Sequence, residues 1–162
     1  MPKHTLLPIY DTNSEILILG SFPSVKSRET LFYYAHPRNR FWNVLALVYN
    51  EEIENNIDSK KEFLKRHKIA LFDVCASCTI KGSSDSSIKD VVPNDIAKIL
   101  KNSKIKNIYV NGKTAYNLYN KLIRDKVGVE ATYLPSTSPA NATFSLNNLV
   151  SSYKVIQKVS KD

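Results

Sequence analysis

The chain has 162 residues, 23 Lys+Arg against 15 Asp+Glu, a formal net charge of +8 and 43% hydrophobic residues. That length suits one domain around an ordinary apolar core, which excludes disordered and fibrous classes. The longest apolar runs fall far short of the ~20 residues of a membrane helix, Met1-Pro2-Lys3-His4 begins no secretory signal, and two cysteines cannot staple a small secreted fold, so a cytoplasmic protein is expected.

Residues 15–20 form a β-branched and leucine run that stops at Gly20, the pattern of a strand buried on both faces. Gly20-Ser21-Phe22-Pro23-Ser24 follows, a tight loop able to turn backbone N–H groups toward a ligand. Between Tyr33 and Trp42 come two tyrosines, His36, Arg38, Asn39 and Arg40, too aromatic and basic for a mere connection. This segment reads as a pocket that stacks a base and contacts phosphates, or as a core-anchoring loop in which Asn39 caps the next helix. Phe41 and Trp42 continue at helical spacing into Leu45 and Val48, so both are expected in the core.

Residues 69–74 predict the second strand, followed by Cys75-Ala76-Ser77-Cys78 and a serine-rich stretch around Asp85. A lone CxxC without a second pair is weak evidence for zinc or redox chemistry, and buried structural thiols are the preferred reading. The serine-rich stretch either supplies hydrogen bonds to a ligand or is an ordinary turn. Ile96, Ile99 and Leu100 predict a helix after Pro93-Asn94-Asp95, and residues 105–110 a third strand. Asn111-Gly112-Lys113-Thr114 resembles the end of a phosphate-binding loop, but the required first glycine is absent, so Gly112 is expected to permit a strand-to-helix turn. A helix carrying Ala115, Leu118, Leu122 and Ile123 comes next, then a fourth strand over 129–134. Two prolines stiffen the small hydroxyl residues from Leu134 to Ala142, giving a loop suited to pressing against a phosphodiester backbone, or simply a structural turn. Ser145 is a candidate N-cap for a last helix with Leu146, Leu149, Val150, Tyr153 and Ile156 on one face.

Strands alternating with helices predict an α/β fold, a three-layer α/β/α sandwich with a short, mainly parallel central sheet. Ligands bind such sheets beyond the carboxyl ends of the strands, where the four loops converge. The positive charge permits a polyanionic partner, yet 18 of the 23 basic residues are lysines, which a biased genome composition also produces. More telling are Arg28, Arg38 and Arg40, three of only five arginines, grouped around the aromatic segment.

Strand-Gly-x-x-Pro followed by Ala-His-Pro-x-Asn-Arg-Phe-Trp, and later Leu-Pro-Ser-x-Ser-x-x-Asn, resembles the uracil-DNA glycosylase superfamily from Gly20 to Asn141. In its mismatch-specific branch the first loop carries an Asn that activates water; here the position is Phe22, which cannot polarise water. The whole pattern is more similar to the hypoxanthine-DNA glycosylase family, in which the Asn of the His-Pro-Arg-Asn segment is the important catalytic side chain. Asn39 occupies that position.

The resemblance implies a single DNA glycosylase domain over residues 1–162 that removes a deaminated base, hypoxanthine foremost, and leaves an abasic site. No cofactor or metal is called for, DNA containing the damaged base is the partner, and the protein is expected to act as a monomer. Asn39 and Ser21 are the expected catalytic residues, Asn39 through its amide and Ser21 through the backbone amides of residues 21–24 facing the leaving base. Phe22, Tyr34, His36 and Asp85 are assigned to the base pocket, with Tyr34 stacking on the extruded base and His36 either assisting the leaving group or fixing its loop. Arg38, Arg40, Ser136, Ser138 and Asn141 are assigned to the DNA around it. A uracil-directed enzyme and a DNA-binding module without turnover are the alternatives.

Overall fold

A computed structural model describes residue 4 and residues 6–159, so Met1 to Lys3, where a secretory signal would begin, lie outside the described residues. The core element is β1 (Ile16–Gly20), buried at every position because neighbours hydrogen-bond both its edges and apolar residues cover both its faces. On one side it pairs in parallel with β2 (Ile69–Asp73), in a register that sets Gly20 opposite Asp73. On the other it pairs with β5 (Asn107–Asn111), which pairs with β6 (Ala131–Leu134), both in parallel, giving the sheet order β2-β1-β5-β6. The α/β expectation therefore holds, with a sheet of four parallel strands.

Helices α2 (Phe41–Val48), α4 (Ile96–Lys101), α5 (Lys113–Leu122) and α7 (Leu146–Tyr153) form where apolar spacing predicts them, and Ser145 caps α7 by accepting from Asn148 N. Phe41 and Trp42 are buried, the indole donating to Tyr33 O. Three helices escaped the pattern: α1 (Val25–Thr30), α3 (Ile57–Arg66) and the short α6 (Arg124–Val127). Of these α1 buries only Ser27, α3 only Phe63 and Leu64, and α6 nothing, which is too little apolar signal to show a period. A final turn, α8 (Val155–Val159), continues α7.

The larger departure lies after β2. Residues 75–88 are not a loop throughout: β3 (Cys75–Thr79) and β4 (Lys89–Pro93) form a separate antiparallel hairpin, with a single 3₁₀ turn at Asp85–Ser87 near its tip. Register shifts along β3 let Cys75 and Cys78, three residues apart, both face inward beside Phe22, which destroys the period-two signature of a strand. Both cysteines are free and buried, and burial raises both thiol pKa values, so neither is a poised nucleophile. No helix among the described residues is long and apolar enough to cross a membrane.

Candidate active site

The carboxyl ends of β1, β2, β5 and β6 open onto one cleft of about 620 Å³, closed at the side by the hairpin. Ser21, Phe22, Tyr34, His36, Asn39, Asp85, Ser136, Ser138 and Asn141 line it; Arg38 and Arg40 do not. Two glycines shape the walls. A Cβ on Gly20 would lie 2.5 Å from Asp73 Oδ1, and Gly112, at φ +99, would bring one to 3.2 Å from the Ser136 Cβ. Each strand end therefore lets a neighbouring segment approach closer than any side chain allows.

Asn39 is held through one atom. Its Oδ1 accepts from Phe41 N at 2.9 Å, at the first turn of α2, and from Thr137 Oγ1 at 2.8 Å. Both bonds fall on the oxygen, so the amide orientation is set and Nδ2 is the end turned over to a ligand. Asn39 thus serves the helix start and the cleft together. Thr137, fully buried, also donates its backbone N–H to Asn111 Oδ1 and accepts from Asn111 Nδ2, joining the ends of β5 and β6 to the Asn39 loop. Sequence reading named Ser136 and Ser138 but not Thr137, because hydroxyl residues in an irregular loop carry no period that tells which one points inward. Thr137→Val keeps the shape and removes the bridge, and is expected to lower the unfolding free energy by about 1–3 kcal/mol, since it leaves buried partners unpaired. An unchanged denaturation midpoint would show that the bridge carries no weight.

Arg40 has a different role from the phosphate contact expected of it. Its guanidinium donates to the carbonyls of Ser138, Asn141 and Phe144, and its backbone N–H to Thr137 O, so it staples the loop after β6. Arg38 remains exposed. The serine and asparagine side chains of that loop are partly self-engaged: Ser136 Oγ accepts from Ser138 N, Ser138 Oγ from Ala140 N, and Asn141 Nδ2 donates to Ser136 O. His36 accepts from Arg38 N through Nδ1, which fixes its tautomer with the proton on Nε2 when the ring is neutral. Tyr34, at φ +53, has one ring face covered by Phe41 at 3.9 Å and its hydroxyl buried, so only its other face is left for a ligand. Tyr133, exposed on the rim, and Lys113 also line the cleft and were not anticipated.

Across the cleft, Ser21 Oγ donates to Asp85 Oδ1 at 2.7 Å. Burial raises the Asp85 pKa above its ordinary 3.8, the Ser21 bond opposes this, and the nearby Asp73 charge adds to it. A carboxyl with a raised folded-state pKa contributes stability at pH values below its unfolded pKa, and that contribution is lost as pH rises through the folded value. The Tm of Asp85→Asn relative to the wild type should therefore rise as pH is taken up from the ordinary carboxylate value. A difference that stays flat across that range would count against the buried, charged Asp85.

The sequence matches the Uracil DNA glycosylase superfamily over residues 7–159. It is 38% identical over 144 residues to the hypoxanthine DNA glycosylase of Methanosarcina barkeri (strain Fusaro / DSM 804), covering 87% of this chain and 89% of that protein. It is likewise 38% identical over 149 residues to the hypoxanthine DNA glycosylase of Methanosarcina acetivorans, covering 91% and 93%. The fold superposes with a TM-score of 0.78 on the solution NMR structure of a protein from Methanosarcina acetivorans proposed to be a uracil DNA glycosylase, at 34% identity, covering 97% of this chain and 99% of that one. Taken with a cleft at the carboxyl edge of a parallel sheet, these matches show that the chain belongs to the uracil DNA glycosylase superfamily.

Proposed function

We propose that the protein is a monofunctional DNA glycosylase that extrudes hypoxanthine from DNA and hydrolyses its N-glycosidic bond, leaving an intact abasic site. The observation that carries this reading is Asn39, whose amide is oriented by two hydrogen bonds with its N–H end left for the base. The names of the two Methanosarcina relatives support hypoxanthine as the base.

Deep in such a cleft the base must leave the duplex before any side chain can reach its bond. As the C1′–N9 bond breaks, negative charge collects on the purine, and a fixed N–H donor at Asn39 stabilises that charge without reorganising. An asparagine takes no proton, so bond breaking runs ahead of water attack, through an oxocarbenium-like sugar. Water then adds to C1′, and the base leaves carrying a proton. Phe22 and the open face of Tyr34 supply apolar surface for the base; Ser21 and Asp85 form a polar wall opposite, and His36 presents Nε2–H. Ser136, Ser138 and Asn141 contact the strand beside the extruded nucleotide, and Arg38 its phosphates, while Arg40 acts through the loop it staples. The excess lysines add a diffuse attraction that salt weakens. The buried free thiols suit a reducing cytoplasm.

Matched oligonucleotides containing hypoxanthine, uracil, xanthine or no lesion, incubated with the purified protein, test the reading. Strand breaks at hypoxanthine that need alkali are expected. Breaks without alkali would indicate amine chemistry at a lysine such as Lys113, uracil release alone would move the protein to the uracil-directed class, and binding without any product would make it a module without turnover.

A further inference from the structure

Of the three grouped arginines, Arg40 staples the loop after β6 and Arg38 is exposed, while Arg28 turns to the hairpin. Pairing of β3 with β4 ends at Thr79 and Lys89, so residues 80–88 form the tip, and Ser83, Ser84, Asp85 and Ser86 of that tip line the cleft. Ile80 and Ile88 pack against the Phe22 cluster at its base, but residues 81–84 are exposed, and a serine-rich segment of this kind has little apolar surface to hold it still. Three hydrogen bonds among the described residues tie the tip to the segment that follows β1. Ser21 Oγ donates to Asp85 Oδ1 at 2.7 Å, Val25 N, at the start of α1, donates to Ser83 Oγ at 2.9 Å, and Arg28 Nη2 donates to Gly82 O at 2.8 Å. The Arg28 guanidinium also lies over the Phe22 ring, 5.3 Å from its centroid, and its Nε is buried with no hydrogen-bond partner among the described residues. Burying a guanidinium N–H without a partner is costly, and the contact with the ring offsets part of that cost. Such a cation is committed to the wall of the cleft rather than to a phosphate.

We propose that Arg28 is a positioning residue: it clasps the hairpin tip to α1 and so sets Asp85 in place across the cleft. The inference rests on the glycosylase reading above. On one wall Asn39 is fixed by Phe41 N and Thr137 Oγ1. On the other, Asp85 follows closely on the carbonyl that Arg28 holds, so a tip that drifts carries the carboxylate with it. Misplacement by ~1 Å costs on the order of 10²-fold in a positioned reaction, and with two of the three ties left the loss is smaller. Because Arg28 does not meet the DNA, it acts on the rate of bond breaking and not on affinity.

The test measures single-turnover release of hypoxanthine and equilibrium binding of the same oligonucleotide over a range of salt concentrations. Arg28→Met keeps an apolar stem on Phe22 and removes both the charge and the donor. It should lower release at saturating enzyme about tenfold, with Kd changed less than about twofold and the slope of log Kd against log salt unmoved. Arg28→Lys, which can still set a cation on the ring and donate to Gly82 O, should recover release to within about threefold of the wild type. Ser83→Ala removes a second tie at an exposed position and should cost about threefold in rate alone. In an Asp85→Ala background neither Arg28→Met nor Ser83→Ala should cost more than about twofold further, because changes that act through one group are not additive. Weaker binding by Arg28→Met with the salt slope reduced by about one would make Arg28 a phosphate ligand and overturn the proposal. An undiminished further loss in Asp85→Ala would overturn it too. Should Arg28→Met fail to fold, Arg28→Lys and Ser83→Ala decide: failure of Arg28→Lys to retain release, or a Ser83→Ala loss that is absent or persists in Asp85→Ala, defeats the clasp. Hypoxanthine release by the wild type with an unmoved rate in the variants defeats the Arg28 assignment alone, whereas release of no base by the wild type defeats the glycosylase reading with it.

Discussion

Asn39→Asp is expected to reduce single-turnover release of hypoxanthine by about 10²–10³-fold, the usual loss when one preorganised donor is removed from a site where charge develops. The substitution is nearly isosteric. An aspartate oxygen can still accept from Phe41 N and Thr137 Oγ1, the two bonds that hold Asn39. What vanishes is the N–H aimed at the base, and a carboxylate now faces a leaving group that is itself becoming anionic. Unfolding should therefore stay close to wild type while turnover collapses. Asn39→Ala removes both the donor and the anchor, so it should lose comparable activity together with some stability at the start of α2. Near-normal release by Asn39→Asp would rule out the donor role and leave Asn39 as a helix cap. Thr137→Val tests the same arrangement from behind: with one of two anchors gone, the Asn39 amide swings more widely, and release should fall about tenfold although Thr137 itself need not touch the base.

Gly20→Ala is expected to have the second large effect, and for a steric reason. One added methyl would meet Asp73 Oδ1 at 2.5 Å and Tyr34 Oη at 3.2 Å. Gly20 and Asp73 are register partners at the carboxyl ends of β1 and β2, both buried, so neither backbone can retreat without breaking β1–β2 pairing. Overpacking of this kind costs about 1–3 kcal/mol, measurable by denaturant unfolding. Activity should suffer more than stability. The loop from Ser21 to Ser24 leaves directly from Gly20, and a displacement of ~1 Å there costs on the order of 10²-fold in a positioned reaction. Full activity in Gly20→Ala would mean that the Asp73 carboxylate moves freely, contrary to its hydrogen bond with His4.

Much of the fold was legible because burial imposes a period. The run 15–20 reads as a strand since a central parallel strand is apolar on both faces, and Phe41, Trp42, Leu45 and Val48 read as a helix since only one face meets the core. Where burial is thin or the backbone irregular, the signal fails. Helix α3 buries two adjacent residues, and the bulged β3 spaces Cys75 and Cys78 like a helix turn. The third strand shows a smaller displacement: the run 105–110 is apolar, but the strand spans Asn107–Asn111, which carries Asn111 to the edge of the site.

By itself the sequence determined the alternation of strands and helices, the two glycine-led turns at Gly20 and Gly112, and the unusual density of aromatic, basic and amide groups from Tyr33 to Trp42. These follow from local sterics and from residue types that few other purposes bring together. The tertiary structure alone decided which polar atoms face one another. Contacts such as His4 with Asp73, Thr137 with Asn39, and Arg40 with the carbonyls after β6 join residues 69, 98 and about 100 positions apart. No local pattern records them, because their partners are set by the crossover order of a parallel sheet rather than by spacing along the chain. That is why Arg40, promising as a phosphate ligand in the sequence, is a loop staple in the fold, and why His4, unremarked in the sequence, stands behind the bottom of the cleft.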